Sequence, residues 1–254
     1  MRNYPSDLTD SQWQVIENLI NNGRKRKYGM RTITDALLYI TKSGCQWRML
    51  PKNYPPWESV YYYFRKWKSY GIIEEIHDYL VSKIRKKSNK KEMPSVGIID
   101  SQSAKAINVC QGGLGYDGGK KTKGRKRHIV VDTLGMVLAV VIHPANIHDS
   151  KAAIEVFQAL KDKYINGIVK IFADGGYQGE TLFDWAKQKM GWIVEVVKRN
   201  ETGKFKVLPK RWIVERTFAW ISFQRRMSKD YERYPESSLA FVHLSMVRVM
   251  LNRF

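Results

Sequence analysis

Five short apolar runs, spaced along the C-terminal two thirds of the chain, constrain its fold most. They are rich in β-branched residues, which is typical of strands buried on both faces of a sheet. The runs are residues 96–100, 128–132, 136–143, 169–174 and 192–197. The turn TLG joins the second run to the third and predicts a β-hairpin. Helical segments are predicted from about 151, from about 179, around 211–227 and from about 237.

Strand, hairpin, helix, strand, helix, strand and helix is the order of a ribonuclease-H-like fold. The predicted class is therefore α/β, with a mixed sheet and flanking helices. The residues before it differ, because apolar residues recur there at helical spacing and Thr9 with Gln12 forms a capping-box pattern. We predict a small all-α helical DNA-binding domain at 1–90 and the ribonuclease-H-like catalytic domain at 91–254. Residues 83–94 hold six basic residues and end in proline, which indicates an exposed linker.

Three acidic residues are the candidate catalytic and metal-binding groups. Asp100 and Asp174 each close a predicted strand, and Glu215 lies in a predicted helix. In this strand order the first and fourth strands are neighbours, and the helix after the fifth brings up Glu215. Three carboxylates at one place repel one another unless divalent cations neutralise them. Oxygen ligands favour Mg²⁺, or Mn²⁺ as a substitute, and we expect Asp100 to bridge two such ions.

Other acids compete for these roles and remain open. Asp132 ends the second strand, but it precedes a hairpin turn in which aspartate is an ordinary turn residue. Asp149 could form a ligand pair with His148, or it could cap the following helix together with Ser150. Glu195 lies within an apolar strand, too soon after the fourth strand for a helix of the required length to fit.

The charge of the chain indicates a polyanionic partner. Lysine and arginine number 44 against 24 acidic residues, so the net charge is +20 and the pI is about 9.9. Double-stranded DNA is the partner that we expect. No stretch approaches the roughly 18 apolar residues of a membrane span, and the first ten residues lack the apolar segment of a signal peptide. We therefore expect no membrane association and a cytoplasmic protein.

Two segments are predicted to contact DNA outside the acidic site. The face of the third predicted helix opposite its apolar stripe carries Tyr62, Arg65 and Lys66, which could reach phosphates and base edges in a major groove. The glycine-rich segment 111–128 is expected to be a mobile loop that grips phosphates. Its GxGxxG pattern does not indicate a dinucleotide site, because a basic tract follows instead of an apolar helix. The tract contains Lys120, Lys121, Lys123, Arg125, Lys126 and Arg127.

The predicted helix around Glu215 combines arginine with aromatic residues. Arg211 lies one helical turn before Glu215, and Arg225 and Arg226 follow the helix. Their guanidinium groups could clamp phosphates beside the metals. Core packing is the role we expect for the interleaved aromatic rings, with stacking on an unpaired base as the alternative.

Longer motifs give the chain a resemblance to a known family. In order along the chain they are LTDSQW, GCQWRMLPKNYPPW, IIDSQSAK, GGKKTKGRKRHIVVDTLG, HPANIHDS, FADGGYQG and RWIVERTFAW. Together they resemble bacterial insertion-sequence transposases of the DDE class, within the insertion sequence five family. The resemblance implies a ribonuclease-H-like catalytic domain, an N-terminal helical domain that binds terminal inverted repeats, and a magnesium requirement. It also implies that Asp100, Asp174 and Glu215 are the catalytic acids.

The chain departs from the signature of the wider group at two positions. That signature is Tyr, two residues, Arg, three residues, Glu, six residues, Lys. Arg211 and Glu215 match it, whereas Leu208 stands in place of the tyrosine and Ser222 in place of the lysine. The acids are intact, but the contacts to phosphate and flanking bases are changed, and a later arginine could substitute.

The resemblance implies a transposase that cuts element ends with metal-activated water and then joins the freed 3′ hydroxyl to target DNA. Cutting two ends in concert suggests a homodimer on DNA, associated with the bacterial nucleoid. The alternatives are a ribonuclease-H-like nuclease without strand transfer and a non-catalytic DNA-binding repressor. Retention of all three acids argues against the repressor.

Overall fold

A computed structural model describes residues 4–21, 23–197 and 210–254. Its N-terminal part is helical, as predicted. The helices there are α1 (Asp10–Ile20), α2 (Met30–Ser43), α3 (Trp57–Ser69) and α4 (Ile72–Lys87). The predicted capping box begins α1: the Thr9 hydroxyl accepts from the Gln12 backbone N–H at 3.1 Å, and the Gln12 side chain accepts from the Thr9 N–H at 3.0 Å.

The remainder alternates strands and helices, which confirms the predicted α/β class. The strands are β1 (Val96–Lys105), β2 (Gly115–Asp117), β3 (Thr122–Val131), β4 (Val137–Pro144), β5 (Lys170–Ala173) and β6 (Ile193–Val196). The helices are α5 (Asp149–Tyr164), α6 (Glu180–Met190), α7 (Arg211–Ser222) and α8 (Pro235–Leu251). Short 3₁₀ turns lie at Trp47–Met49, Gly175–Tyr177 and Arg225–Met227.

The strands form one mixed sheet in the order β4, β3, β1, β5, β6, and the short β2 pairs with the start of β3. The pairs β1–β3 and β3–β4 are antiparallel, whereas the pairs β1–β5 and β5–β6 are parallel. The predicted neighbours are therefore adjacent, with Ile98 of β1 aligned with Phe172 of β5. Because these strands are adjacent and parallel, the residues that follow this pair come close together, although β1 continues to Lys105 while β5 ends at Ala173.

The prediction of a mobile loop at 111–128 is wrong. β1 continues to Lys105 and pairs with β3 from Gly124 onwards. The basic tract therefore belongs to a strand from Thr122, and Lys120 and Lys121 lie in the turn before it. The close approach of these strands requires glycine: a Cβ on Gly124 would lie 2.0 Å from the carbonyl oxygen of Ala104. Gly124 thus serves strand pairing, a role that composition alone does not distinguish from loop mobility.

The helical N-terminus and the sheet share one continuous hydrophobic core. α8 contacts α2, α4, α7 and β4, and buried residues of all these elements belong to one cluster. The linker interpretation is wrong for 83–87, which forms the end of α4. Ile84 and Arg85 are buried there because the apolar spacing of the helix continues through the basic run. The division into domains at 1–90 and 91–254 stays a prediction.

Over the described ranges 4–21, 23–197 and 210–254, none of the helices combines the length and the apolar character that crossing a membrane requires.

Candidate active site

Asp100 and Asp174 belong to neighbouring parallel strands. Asp100 lies inside β1, which continues to Lys105 and does not end at this aspartate as predicted, and Asp174 directly follows β5. Each comes two residues after a member of the aligned pair that joins β1 to β5. The Asp100 carboxylate accepts from the Ser101 backbone N–H at 2.7 Å, and that of Asp174 from the Gly176 N–H at 2.9 Å. Burial, and then the negative charge of Asp174, raises the pKa of Asp100 from 3.8 to about 6.

Arg211 connects Glu215 to this pair. Its Nη2 lies 3.4 Å from Asp174 Oδ2, and its Nε lies 3.2 Å from Glu215 Oε1 without hydrogen-bond geometry. One guanidinium therefore bridges the carboxylates of Asp174, directly after β5, and Glu215 in α7. Its positive charge also partly offsets the upward shift in the pKa of Asp100. The spacing of four residues places Arg211 and Glu215 on one face of the helix.

The donor set of this cluster suits a hard divalent cation. Its ligands are carboxylate oxygens, and burial, followed by the charge of Asp174, raises the pKa of Asp100, so the site disfavours a negative charge that a cation would stabilise. Within the described residues no three acidic, histidine or cysteine side chains already have ligand spacing. Glu215 is half exposed and is tied to Asp174 through the Arg211 ion pairs.

Asp149 also lies at this site, in a role that differs from both roles predicted for it. His148 caps α5, with its ring nitrogen accepting from the Ser150 N–H at 3.4 Å, so the capping role expected of Asp149 is wrong. The Asp149 carboxylate instead accepts from the Ser101 hydroxyl at 3.2 Å and from Lys126 Nζ at 2.9 Å. The proposed ligand pair is also not formed, since the His148 ring bonds to the Ser150 hydroxyl at 2.8 Å.

The other two competing acids lie elsewhere. Asp132 is fully buried, accepts from two backbone N–H groups of its own turn, and forms an ion pair with Arg85. Its turn role is thus as predicted. Glu195 Oε2 lies 2.7 Å from Lys170 Nζ, at the opposite end of β5 from Asp174. Glu195 aligns with Phe172, two residues before Asp174, but this contact directs its carboxylate toward the start of β5 and away from Asp174.

Three of the six basic residues predicted to grip DNA are buried, which corrects their assignment. Arg125 contacts the Asp230 carboxylate at 3.3 Å, and Arg127 donates to the carbonyl oxygen of Met227 at 2.8 Å. Burial lowers the pKa of Arg127 to about 10. Lys126, on the opposite face of β3, is the partner of Asp149. The three side chains make internal contacts, with Asp230, the Met227 carbonyl oxygen and Asp149, and are not available to a phosphate.

The other three basic residues, Lys120, Lys121 and Lys123, are exposed around the turn between β2 and β3. The Asp117 carboxylate holds this turn, accepting from the Lys120 backbone N–H at 3.0 Å and from the Ser103 hydroxyl at 2.5 Å. Lys120 Nζ donates to the Ser101 carbonyl oxygen at 3.1 Å, directly after Asp100. The turn therefore carries positive charge beside the acidic cluster.

The predicted contact residues of α3 share one surface. Tyr62, Arg65 and Lys66 are exposed and line a cavity of about 540 Å³. Lys68, Ser69 and Tyr70 complete its lining. Three of these six side chains are cationic and two are tyrosines, a combination that suits a phosphate backbone with adjacent bases.

The residues after α7 divide into one exposed and one buried arginine. Arg225 is exposed, whereas Arg226 is buried and donates to Glu232 at 2.7 Å and to the Cys45 carbonyl oxygen at 3.1 Å. The predicted phosphate contact of Arg226 is thus corrected, because its guanidinium has internal partners. Ser222 accepts from an amide at 3.4 Å, and Leu208 lies outside the described residues.

Two aromatic side chains near Glu215 are exposed, against the expectation that these rings are in the core. Trp212 is 46% exposed and Phe223 is 69% exposed, while Phe218 is buried as expected. Trp212 comes three residues before Glu215, and this helical spacing was a sequence signal for a shared face. The Arg216 guanidinium lies 4.6 Å from the Trp212 ring centroid.

Two protein-family models match the chain. The model described as "Transposase DDE domain" matches residues 91–250, more than half of the chain. The model for candidate transposases of the IS4/5 family (DUF4096) matches residues 8–77. These matches agree with the resemblance to insertion-sequence transposases.

Two curated proteins are similar to the chain over part of their length. A candidate transposase for insertion sequence element IS402 from Burkholderia cepacia is 32% identical over 136 residues, which are 51% of this chain and 64% of that protein. Uncharacterized protein y4sN from Sinorhizobium fredii (strain NBRC 101917 / NGR234) is 34% identical over 73 residues, 27% of this chain and 58% of that protein. The chain thus covers less than two thirds of either relative. From the extent of the DDE-domain match, the chain belongs to the DDE-domain transposases, a family whose DDE domain implies a divalent metal cofactor.

Proposed function

We propose that the chain binds terminal inverted repeats of an insertion sequence and catalyses metal-dependent cleavage and strand transfer of DNA. The observation that carries this proposal is the arrangement of three acids. Asp100 in β1 and Asp174 directly after β5 come from adjacent parallel strands, and Arg211 ties Glu215 to Asp174. The name of the Burkholderia cepacia relative supports the same activity.

In this proposal Asp100, Asp174 and Glu215 are the catalytic acids and the metal ligands. Their oxygen-only donor set favours Mg²⁺, with Mn²⁺ as a substitute. When bound, such cations make the attacking water more acidic and stabilise the charge on the leaving 3′ oxygen. Asp100, with a pKa of about 6, is deprotonated at neutral pH and able to bind a cation.

Arg211 has two roles in the proposed reaction. In the protein alone it neutralises the carboxylates of Asp174 and Glu215, at 3.4 and 3.2 Å. Its planar guanidinium also suits the non-bridging oxygens of a phosphate, so it positions the scissile phosphate beside the acids. Trp212 and Phe223, exposed near Glu215, offer rings on which an unpaired base could stack.

Six basic side chains and one tyrosine, on three elements, extend the proposed DNA surface. They are Lys120, Lys121 and Lys123 at the β2–β3 turn, Arg225 after α7, and Tyr62, Arg65 and Lys66 on α3. We assign the repeat-binding role to the helical part, 1–90, and catalysis to 91–254. A homodimer would bring two element ends together, and light scattering of the DNA complex would count the chains.

The direct test uses purified protein, 5′-labelled inverted-repeat DNA and Mg²⁺. We expect cleavage at the element end and a joined product with target DNA. D174N should lower cleavage by at least about a hundredfold, because it weakens a metal ligand, while gel-shift binding to the repeat is retained. E195Q is the matched control, since it also removes one negative charge but lies by Lys170 at 2.7 Å.

The outcomes separate the proposed activity from its alternatives. Cleavage without a joined product would indicate a nuclease, and specific binding without cleavage would indicate a repressor. Equal cleavage by wild type and D174N would contradict the metal-dependent mechanism.

A further inference from the structure

Asp149 lies beside the proposed catalytic acids although it belongs to a different element. It is the first residue of α5, and its carboxylate reaches back to the sheet. Oδ1 accepts from the Ser101 hydroxyl at 3.2 Å and from Lys126 Nζ at 2.9 Å. Ser101 also donates its backbone N–H to Asp100 at 2.7 Å. A single residue therefore links Asp149 to Asp100.

The second oxygen of Asp149 lies beside Gly176, which also borders Asp174. A Cβ built on Gly176 would lie 3.1 Å from Asp149 Oδ2 and 3.2 Å from Asp174 Oδ1. Both carboxylate oxygens thus border Gly176, and a larger side chain at that position would meet both of them. Carboxylates that border one glycine repel each other, and a cation bound by one is also attracted by the other.

A buried polar group also points at Asp149. The side chain of His128 has no exposed surface, and its Nε2 lies 4.0 Å from Asp149 Oδ1. Within the described ranges this nitrogen has no hydrogen-bond partner, while the other ring nitrogen lies 3.2 Å from the Tyr177 hydroxyl. Lys126, His128 and Ser101 therefore surround one oxygen of Asp149, and the other lies beside Gly176.

We propose that Asp149 is a positioning residue of the catalytic centre, whose charge beside Asp174 strengthens divalent-cation binding and whose bond to Ser101 helps to orient Asp100. This role rests on the proposed metal-dependent function. Residues that support metal ligands commonly contribute about 10- to 100-fold to metal affinity. Lys126 holds the Asp149 carboxylate in its orientation at 2.9 Å.

The test measures Mn²⁺ binding to the full chain without DNA, by the electron paramagnetic resonance signal of free Mn²⁺. In D149N the amide oxygen still accepts from Ser101 and Lys126, but the negative charge is lost. We expect D149N to weaken Mn²⁺ binding about tenfold or more, with little change in melting temperature.

D162N is the matched control, because it removes the same charge from the same helix. Asp162 is exposed and thirteen residues further along α5, which is about 20 Å at the rise of an α-helix. Mn²⁺ binding by D162N should equal that of wild type. Equal losses in D149N and D162N would show a long-range effect of net charge and would overturn the proposed role.

If D149N fails to fold, a second pair of variants tests the space beside Gly176 that both carboxylates border. G176A places a methyl group within 3.2 Å of both oxygens, whereas G175A meets only Gln178 Nε2 at 3.9 Å. G176A should lose Mn²⁺ affinity, and G175A should keep it. Wild-type affinity in D149N, or in G176A where D149N does not fold, overturns the inference.

The proposed metal-dependent function has a separate readout in this assay. Wild type should bind Mn²⁺ and D100N should not. If wild type fails to bind, or D100N binds as well as wild type, the proposed function fails. If those two behave as expected but D149N binds like wild type, the role of Asp149 alone is wrong.

Discussion

The guanidinium of Arg85, in the last turn of α4, forms a buried ion pair with the carboxylate of Asp132 in the turn between β3 and β4. Asp132 also accepts from the backbone N–H groups of Leu134 and Met136, at 2.9 and 2.8 Å. One carboxylate therefore fixes the hairpin turn and ties the N-terminal helices to the sheet.

Replacing Arg85 with methionine should destabilise the protein by about 3–5 kcal/mol, because Asp132 would remain buried without its partner. Urea unfolding measures the change. Lys86→Met is the control: Lys86 is 58% exposed and pairs with Glu92, which is 55% exposed, so the loss should stay below about 1 kcal/mol. Equal midpoints for the two variants would contradict the structural role of the Arg85–Asp132 pair.

Arg211→Met should separate metal binding from DNA cleavage. The guanidinium pairs with Asp174 and Glu215, at 3.4 and 3.2 Å, and so competes with a cation for the same carboxylates. Without it, we expect Mn²⁺ to bind several-fold more tightly in the absence of DNA, while cleavage falls because a phosphate contact is lost.

Arg211→Lys keeps the charge but not the planar fork. It should therefore leave Mn²⁺ affinity near that of wild type and still lower cleavage. Weaker Mn²⁺ binding by Arg211→Met would contradict the competition.

The raised pKa of Asp100 predicts a pH dependence of metal binding. Asp100 must lose its proton to bind a cation, and its pKa is about 6 in the folded chain against an ordinary 3.8. Mn²⁺ affinity should fall about tenfold per pH unit below about pH 6, with no contribution from this group above about pH 7. Titrations at pH 5, 6, 7 and 8 test this. A constant affinity down to pH 5 would be inconsistent with it.

The raised pKa of Asp100 also predicts that, without metal, the free energy of unfolding changes with pH in the direction opposite to metal affinity. The folded chain holds the Asp100 proton more tightly than the unfolded chain, whose pKa is the ordinary 3.8. The free energy of unfolding should therefore decrease as pH rises from about 4 to about 6. Asp100→Asn should remove this part of the slope, which urea unfolding at several pH values would detect.

The exposed lysines of the β2–β3 turn predict the salt dependence of DNA binding. Each phosphate contact contributes about 0.9 to the slope of log affinity against log salt. The double variant K121Q/K123Q should weaken DNA binding and lower that slope by up to about 2. K187Q/K189Q, exposed on α6, removes the same charge from another surface. Comparable changes in both double variants would mean that only net charge matters.

Local patterns were enough to predict much of the fold. The β-branched runs, the TLG turn and the Thr9–Gln12 capping box depend on neighbouring residues, and the structure has strands, a hairpin and a cap at these positions. The adjacency of β1 and β5 followed from the order of the elements. Since strand periodicity and capping are short-range effects, a single sequence contains them.

The basic tract shows where this reasoning ends. Arginine and lysine indicate exposed surface, because burial of a charge is costly unless the charge is paired. The carbonyl oxygen that binds Arg127 belongs to Met227, 100 residues further along the chain. Nothing near Arg127 in the sequence indicates that partner, so only the packed structure shows that this arginine is buried.

The sequence by itself determined the five main strands, the helices that follow them and the candidate acids Asp100, Asp174 and Glu215, because periodicity is a local property; it missed β2 and the extension of β1 beyond Asp100. Only the tertiary structure decided which further acid joins them. Asp149 accepts a hydrogen bond from Ser101, 48 residues away in sequence. Asp132 instead forms an ion pair with Arg85, and Glu195 forms one with Lys170. The choice depends on how α5 and α4 pack against the sheet, and such long-range packing is not encoded in any short pattern.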